Sequence, residues 1–152
     1  MMLKKFFKYI IETIIALLRS RSFGRRIHEH FIRSSFNTVV EVQHEGIRLK
    51  FCAPNDFAQQ RAETFSEKEP ETLEWIDKFP TETVLWDVGA NLGTYSIYTA
   101  LRHPNAKVYA FEPSVFNLEL LARNIVLNGL ESRVTIVPLS LSESSGTDTM
   151  HM

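Results

Sequence analysis

Seven residues, Asp87-Val88-Gly89-Ala90-Asn91-Leu92-Gly93, join a short apolar run, Val84-Leu85-Trp86, to a segment of helical pattern that begins at Thr94. At the C-terminal end of a strand, such a turn brings backbone N–H groups and a helix N-terminus to bear on an anionic ligand group. Gly89 permits a tight turn, and Gly93 permits the backbone to approach a ligand closely. Glu112 follows 19 residues after Gly93, at the tip of a second apolar run, Lys107 to Phe111. A carboxylate placed there accepts both hydroxyls of a ribose. A glycine-containing turn by itself signals only a tight connection. The ordered set of strand, turn, helix, strand and acid signals a nucleoside-type ligand.

The spacing of the turn narrows the choice. A dinucleotide site wants G-x-G-x-x-G with a pyrophosphate on the helix N-terminus. Here the middle glycine is replaced, the pattern is Gly-x-x-x-Gly, and Asp87 precedes the first glycine by two residues. A carboxylate repels a pyrophosphate and attracts an ammonium group. S-adenosylmethionine offers that chemistry, with an amino-acid end, a sulfonium and an adenosine. Asp87 is then expected to face the amino group, directly or through water, the turn to face the carboxylate, and Glu112 to hold the ribose.

The elements that must position these residues follow from the apolar pattern. Val84 to Trp86, Lys107 to Phe111 and Val134 to Val137 read as strands, and Thr94 to Leu101 as the helix between the first two. Ser114 is a candidate N-cap for a helix with Val115, Leu118, Leu121 and Ile125 facing inward, closed by Asn128-Gly129. Strand–helix–strand–helix–strand at this spacing predicts an α/β body with parallel pairing. Upstream, Val39, Val40, Val42 and Ile47, Leu49, Phe51 flank His44-Glu45-Gly46 and predict a β-hairpin. Pro54 to Lys68 is polar and poorly periodic, a loop with some helix; Glu69-Pro70-Glu71 opens a helix through about Lys78. His103-Pro104-Asn105 reads as a turn at the opposite end of the sheet from Asp87.

Asp87 to Ser96, then Phe111-Glu112-Pro113-Ser114, then Asn117, Asn124 and Asn128-Gly129, with Lys68-Glu69-Pro70-Glu71-Thr72 and Trp75-Ile76 upstream, resemble the FkbM-type methyltransferases. The resemblance runs from about Phe51 to Gly146. It implies a Rossmann-like class I fold that uses S-adenosylmethionine and, for most members, methyl transfer to an oxygen of a polyketide or of a sugar in a glycan or glycolipid. It carries cofactor contacts to Asp87, Gly89, Asn91, Gly93 and Glu112, and places Ser140 and Ser142 near the adenine. The class I sheet resembles seven strands in the order 3-2-1-4-5-7-6, and this chain supplies candidates for strands 1, 2 and 3. The sheet is therefore expected to be truncated after its third strand, with an unpaired apolar edge at Val84-Leu85-Trp86. A chain of this kind is the cofactor-binding half of an enzyme, inactive by itself, and no residue after Gly93 is an obvious catalytic base.

The chain has 152 residues, 44% hydrophobic and 23% charged, which suits one domain with a core. Three stretches are expected: a basic helical arm at 1–35, a hairpin and helix at 36–82, and the partial cofactor-binding domain at 83–152. Residues 1–33 hold eight basic side chains against Glu12 and Glu29, a net of +6, while the whole chain carries −1. Leu3, Phe6, Phe7, Ile10, Ile14, Leu17 and Leu18 recur at helical spacing, so the arm begins with an amphipathic helix of about 18 residues. Lys8 and Glu12 interrupt its apolar run, which rules against a membrane span. Packing of the apolar stripe onto the body is the first expectation. Contact of residues 1–26 with an anionic membrane surface is the second.

Rival readings are a non-catalytic remnant, a membrane-associated binding module and an NAD-dependent dehydrogenase domain. The single cysteine, Cys52, excludes an intrachain disulfide and reads as a small buried side chain in a reducing, cytoplasmic setting. His28-x-His30 has no third ligand at sensible spacing, so no metal is expected. The balanced net charge and the lack of aromatics interleaved among the basic groups argue against nucleic acid as a partner. A small-molecule or glycan acceptor is expected as partner, and a homo-oligomer remains open.

Overall fold

The computed structural model describes residues 2–20, 22–144 and 146. In chain order its elements are α1 (Met2–Ser20), α2 (Ser22–Ser35), β1 (Val39–His44), β2 (Ile47–Cys52), α3 (Asp56–Glu63), α4 (Phe65–Lys68), α5 (Pro70–Asp77), β3 (Val84–Val88), α6 (Thr94–Arg102), β4 (Lys107–Phe111), α7 (Val115–Leu127) and β5 (Val134–Val137). The three-stranded sheet is parallel in the order β3-β4-β5, with α6 and α7 as the crossovers. That is the order the resemblance requires of the first three class I strands.

One face of this sheet carries Leu85, Val108, Ala110 and Val134, all buried against Ile97, Ala100, Leu121 and Ile125 of the two helices. The far side of those helices is covered by β2, whose Leu49 and Phe51 are fully buried. Burying apolar area on both sides of α6 and α7 is the main stabilising term, at about 25 cal/mol per Å². The layers are therefore sheet, helices and hairpin.

The hairpin forms because Glu45 (φ 46°) and Gly46 (φ 79°) both adopt the left-handed region. A two-residue turn of that kind matches the twist of the flanking strands and sets the pairing from Val39↔Cys52 to His44↔Ile47. Asn124 of α7 and Asn128, its C-cap, then hold β2 on the helix layer. Asn124 Oδ1 accepts from the Cys52 N–H at 2.6 Å and its Nδ2 donates to the Leu92 carbonyl at 2.9 Å. Asn128 accepts from the Lys50 N–H and donates to the Lys50 carbonyl, at 3.0 and 2.8 Å. Side-chain amides complete backbone hydrogen bonding that a buried strand edge otherwise lacks.

Several expectations change. Pro54 to Lys68 is mostly helix: Asn55 Oδ1 caps α3 by accepting from the Ala58 N–H, and one helical turn, α4, follows. At β3, Leu85 is buried beneath the helices, whereas Val84, Trp86 and Val88 stand on the sheet's open face. Apolar exposure there belongs to a face as well as an edge. The arm differs most. Its helix α1 packs chiefly on α2, where Gly24 lets the backbones meet: a Cβ on Gly24 would fall among backbone atoms of Leu18. Phe6, Phe7, Ile14 and Leu17 remain exposed instead of packing on the body. Cys52 is buried as expected, its Sγ donating to the Phe36 carbonyl, and burial pushes its thiol up.

Candidate functional site

The strand β3 ends in Asp87 and Val88, and the chain then turns through Gly89 at φ 79° and Asn91 at φ 54° into α6, whose N-cap is Gly93 at φ 82°. Three left-handed residues in five make the reversal tight enough to bring the helix start back over the strand end.

Asp87 is half-buried beneath this turn. Its Oδ2 accepts from the Ser96 N–H at 3.1 Å and from the Ser96 hydroxyl at 2.6 Å. Its Oδ1 takes no hydrogen bond from the described residues. Burial raises the Asp87 carboxyl above the usual aspartate range, the Ser96 hydrogen bonds oppose that rise, and the Glu112 charge adds to it. The ionised form is thus under-compensated in the free protein, and an ammonium group at Oδ1 would correct that.

Glu112 sits at the tip of β4 as expected, but its first partners are in the protein. Oε2 accepts from the Asn91 N–H and Oε1 from the Ser114 N–H, each at 2.8 Å. The carboxylate is buried, and it fixes the turn to the start of α7. The N–H groups of Gly89 and Ala90 both donate to the Phe111 carbonyl at 2.9 Å, and that of Gly93 to the Ala90 carbonyl at 2.7 Å. The expectation that the turn offers its amides to an anion therefore fails for these four. They are already bonded internally.

A cavity of about 320 Å³ opens beside the turn, lined by Asp87, Gly89 and Asn91 together with Arg61 of α3, Glu69 and Tyr95. A Cβ on Gly89 would meet no protein atom within 4 Å, so that position opens onto free space. Asn91, one of the lining residues, keeps its Oδ1 buried without a hydrogen-bond partner. Gly93 has another reason to be glycine. A Cβ there would stand 2.4 Å from Leu121 Cδ1, so its bareness serves helix packing instead of ligand approach. Ser140 and Ser142 lie beyond β5 in an exposed segment, outside the cavity lining. His103 is buried at the far end of α6 from the turn, with Nε2 against the Ile76 carbonyl at 2.8 Å.

Arg61, Glu69 and Tyr95 were not singled out from sequence as ligand contacts. Glu69 and Tyr95 fall inside motifs that carry the FkbM-type resemblance, and that was their available signal. Arg61 lies in a polar stretch without periodicity and had none. Burial and the Glu69 carboxylate push the Tyr95 phenol well up, so the hydroxyl stays protonated.

No family model matches the chain. Methyltransferase sdnD of Sordaria araneosa is 39% identical over 72 residues, which is 47% of this chain and 28% of that protein. The 31-O-demethyl-FK506 methyltransferase FkbM of Streptomyces tacrolimicus is 34% identical over 67 residues, 44% of this chain and 25% of that protein. The chain thus spans about a quarter of the length of these curated relatives. Among solved structures, a tRNA methyltransferase of M. jannaschii is 28% identical with a TM-score of 0.45, over 68% of this chain and 30% of that one. The FkbM-type resemblance carried by the Asp87 and Glu112 motifs is borne out by the two curated relatives.

Proposed function

Starting from a chain similar over nearly half its length to FkbM-type methyltransferases, we propose that it is the S-adenosylmethionine-binding part of a methyltransferase that acts on a hydroxyl oxygen of a sugar, glycan or polyketide-type acceptor. One observation carries this reading. At a single cavity the end of β3 presents a carboxylate with a free oxygen, a glycine open to space and an orphaned buried acceptor, Asn91 Oδ1. These suit a ligand with an ammonium group and hydroxyl or N–H donors, and they suit a pyrophosphate poorly. The residues present therefore fit S-adenosylmethionine.

When bound, that cofactor supplies an electrophilic methyl carbon on a sulfonium. The chain's own part is to hold and align it, since in-line displacement depends mainly on positioning and the exclusion of water. Asp87 takes the ammonium, Gly89 allows close approach, and Asn91 accepts from the ligand. Glu112 keeps the turn in shape and has lone pairs left for a ribose. An acceptor hydroxyl needs a general base, and none of these residues is assigned that part.

Isothermal titration of the full chain with S-adenosylhomocysteine and with NADH tests the cofactor. Micromolar binding of the first is expected, and binding of NADH alone would reverse the reading. For the acceptor, labelled methyl donor is offered with glycans, polyketide alcohols and transfer RNA. Label in hydroxylated small molecules or glycans is expected; label in RNA replaces that acceptor class.

A second reading concerns the arm. No helix among the described residues is long and apolar enough to cross a membrane. The α1–α2 pair nonetheless leaves Phe6, Phe7, Ile14, Leu17, Phe23 and Phe31 exposed within a stretch of net charge +6. That combination favours lying in an anionic lipid interface. Sedimentation with phosphatidylglycerol vesicles, and not with phosphatidylcholine vesicles, is the expected result; no sedimentation with either removes it.

A further inference from the structure

The strand edges of this protein are not equally protected. Along β2, the side chains of Asn124 and Asn128 bond the Cys52 N–H and both backbone groups of Lys50. The outer strand β5 is four residues long and runs into Pro138, which has no N–H to offer. Short strands and prolines are common means of blunting an edge. The free edge of β3 has neither. It runs for five residues, with β4 on one side and no strand on the other among the described residues. The Thr83 carbonyl accepts from the Lys107 N–H, and the Gly89 N–H donates to the Phe111 carbonyl. A parallel ladder engages alternate residues, so Thr83, Leu85, Asp87 and Gly89 serve β4. The N–H and C=O groups of Val84, Trp86 and Val88 therefore face outward. The side chains of the same three residues stand exposed on the open face of the sheet.

We propose that β3 is a dimerisation strand: two copies of the chain pair β3 antiparallel about a two-fold axis at Trp86, and their sheets join into one. The pairing does not depend on the cofactor reading. Its register follows from the three outward residues. In an antiparallel pair, directly opposed residues of the hydrogen-bonded kind exchange both bonds. Setting Trp86 against the partner's Trp86 places Val84 against the partner's Val88, and Val88 against the partner's Val84. Each of the three then gives one bond and takes one. A slip by two residues sets Val88 against Glu82, or Val84 against Ala90, both outside the strand. The open-face residues of Val84-Leu85-Trp86-Asp87-Val88 read the same in both directions, as a contact between identical patches requires. Aromatic meets aromatic and valine meets valine across the seam, beside Phe111, whose ring lies 5.3 Å from that of Trp86. A strand of unrelated sequence would gain the backbone bonds without these matched pairs. Asp87, the one charged residue of β3, is held back on Ser96 of its own chain.

Sedimentation equilibrium of the full chain across micromolar concentrations reads the assembly. The expected mass is that of a dimer in exchange with monomer. Val84→Lys replaces a valine contact on each side of the axis and should raise the dimer dissociation constant about ten-fold or more. Trp86→Lys sets two ammonium groups opposite each other at the axis and should sediment as monomer. Both side chains are exposed, and an unchanged far-ultraviolet circular dichroism spectrum shows that each variant is folded. Should Trp86→Lys lose that spectrum, Val84→Lys decides. Trp86→Cys reports the register. Cα atoms about 5.5 Å apart in a hydrogen-bonded pair lie within reach of a disulfide, so mild oxidation should link two Trp86→Cys chains. Thr135→Cys, exposed on the far strand of the same face, should stay unlinked. A monomeric wild type, species larger than a dimer, a dimer undiminished in the folded lysine variants, or linkage at Thr135→Cys as strong as at Trp86→Cys overturns the assignment.

Discussion

Gly93→Ala should cost this protein far more stability than Gly89→Ala, although both glycines have nearly the same φ and belong to one motif. Each alanine must hold a left-handed conformation, φ 82° at Gly93 and φ 79° at Gly89. That strain is about 1–2 kcal/mol for an L-residue. At Gly89 the new methyl meets nothing within 4 Å. At Gly93 it arrives 2.4 Å from Leu121 Cδ1, and Leu121 is fully buried with no solvent to retreat into. Overpacking of that kind adds about 1–3 kcal/mol, for a total of about 2–5 kcal/mol. A domain of about 150 residues loses about 2–4 °C per kcal/mol, so Gly93→Ala should melt roughly 4–20 °C lower and Gly89→Ala only about 2–8 °C lower than wild type. The assay is thermal and urea unfolding of both variants, with Leu121→Val and Gly93→Ala/Leu121→Val completing a double-mutant cycle. Removing Cδ1 should recover part of the Gly93→Ala loss as a favourable coupling energy. Equal losses at the two glycines, or no coupling with Leu121, would refute the reasoning. Ligand affinity should show the reverse order, with Gly89→Ala weakening S-adenosylhomocysteine more than its small stability cost suggests.

Asn124→Ala leaves the Cys52 N–H and the Leu92 carbonyl buried without partners, about 1–3 kcal/mol each. Hydrogen exchange at the Cys52 amide should accelerate, and an unchanged rate would mean that β2 is held by packing alone. Glu112→Ala removes the acceptor of two N–H groups, bonds to a charged group being worth about 1.5–3 kcal/mol each; melting temperature and S-adenosylhomocysteine affinity should fall together, and unchanged affinity takes Glu112 out of the site. Because the folded Asp87 carboxyl is raised above its ordinary value, the native state binds more protons than the unfolded chain just above that value, and stability falls as pH rises through the window between the unfolded and folded values. Asp87→Asn should flatten that slope in urea unfolding measured from about pH 4 upward. A slope identical to wild type contradicts the shift.

The order of elements was legible in the sequence because it is written in local patterns. Alternating apolar residues around Glu45-Gly46 can satisfy their backbone only as a hairpin, and Val84 to Val137 changes period from strand to helix and back within reach of a turn. The Asp87 to Gly93 motif and Glu112 were legible for the same reason, since residues a few positions apart at a strand end are fixed by the turn between them. What those residues do was settled by partners distant in sequence. Gly93 must be bare because Leu121, 28 positions later, packs over it. The turn's amides are occupied because β4 lays the Phe111 carbonyl and the Glu112 carboxylate against them. Arg61 reaches the cavity only because α3 folds back beside the end of β3, and no spacing within the chain encodes that approach. The arm's apolar stripe had the same sequence signature whether it met the body or the solvent, and only the packing of α1 on α2 decided between them. Local geometry follows from neighbours along the chain. The assignment of each donor and acceptor waits on which distant groups arrive first at the same buried space.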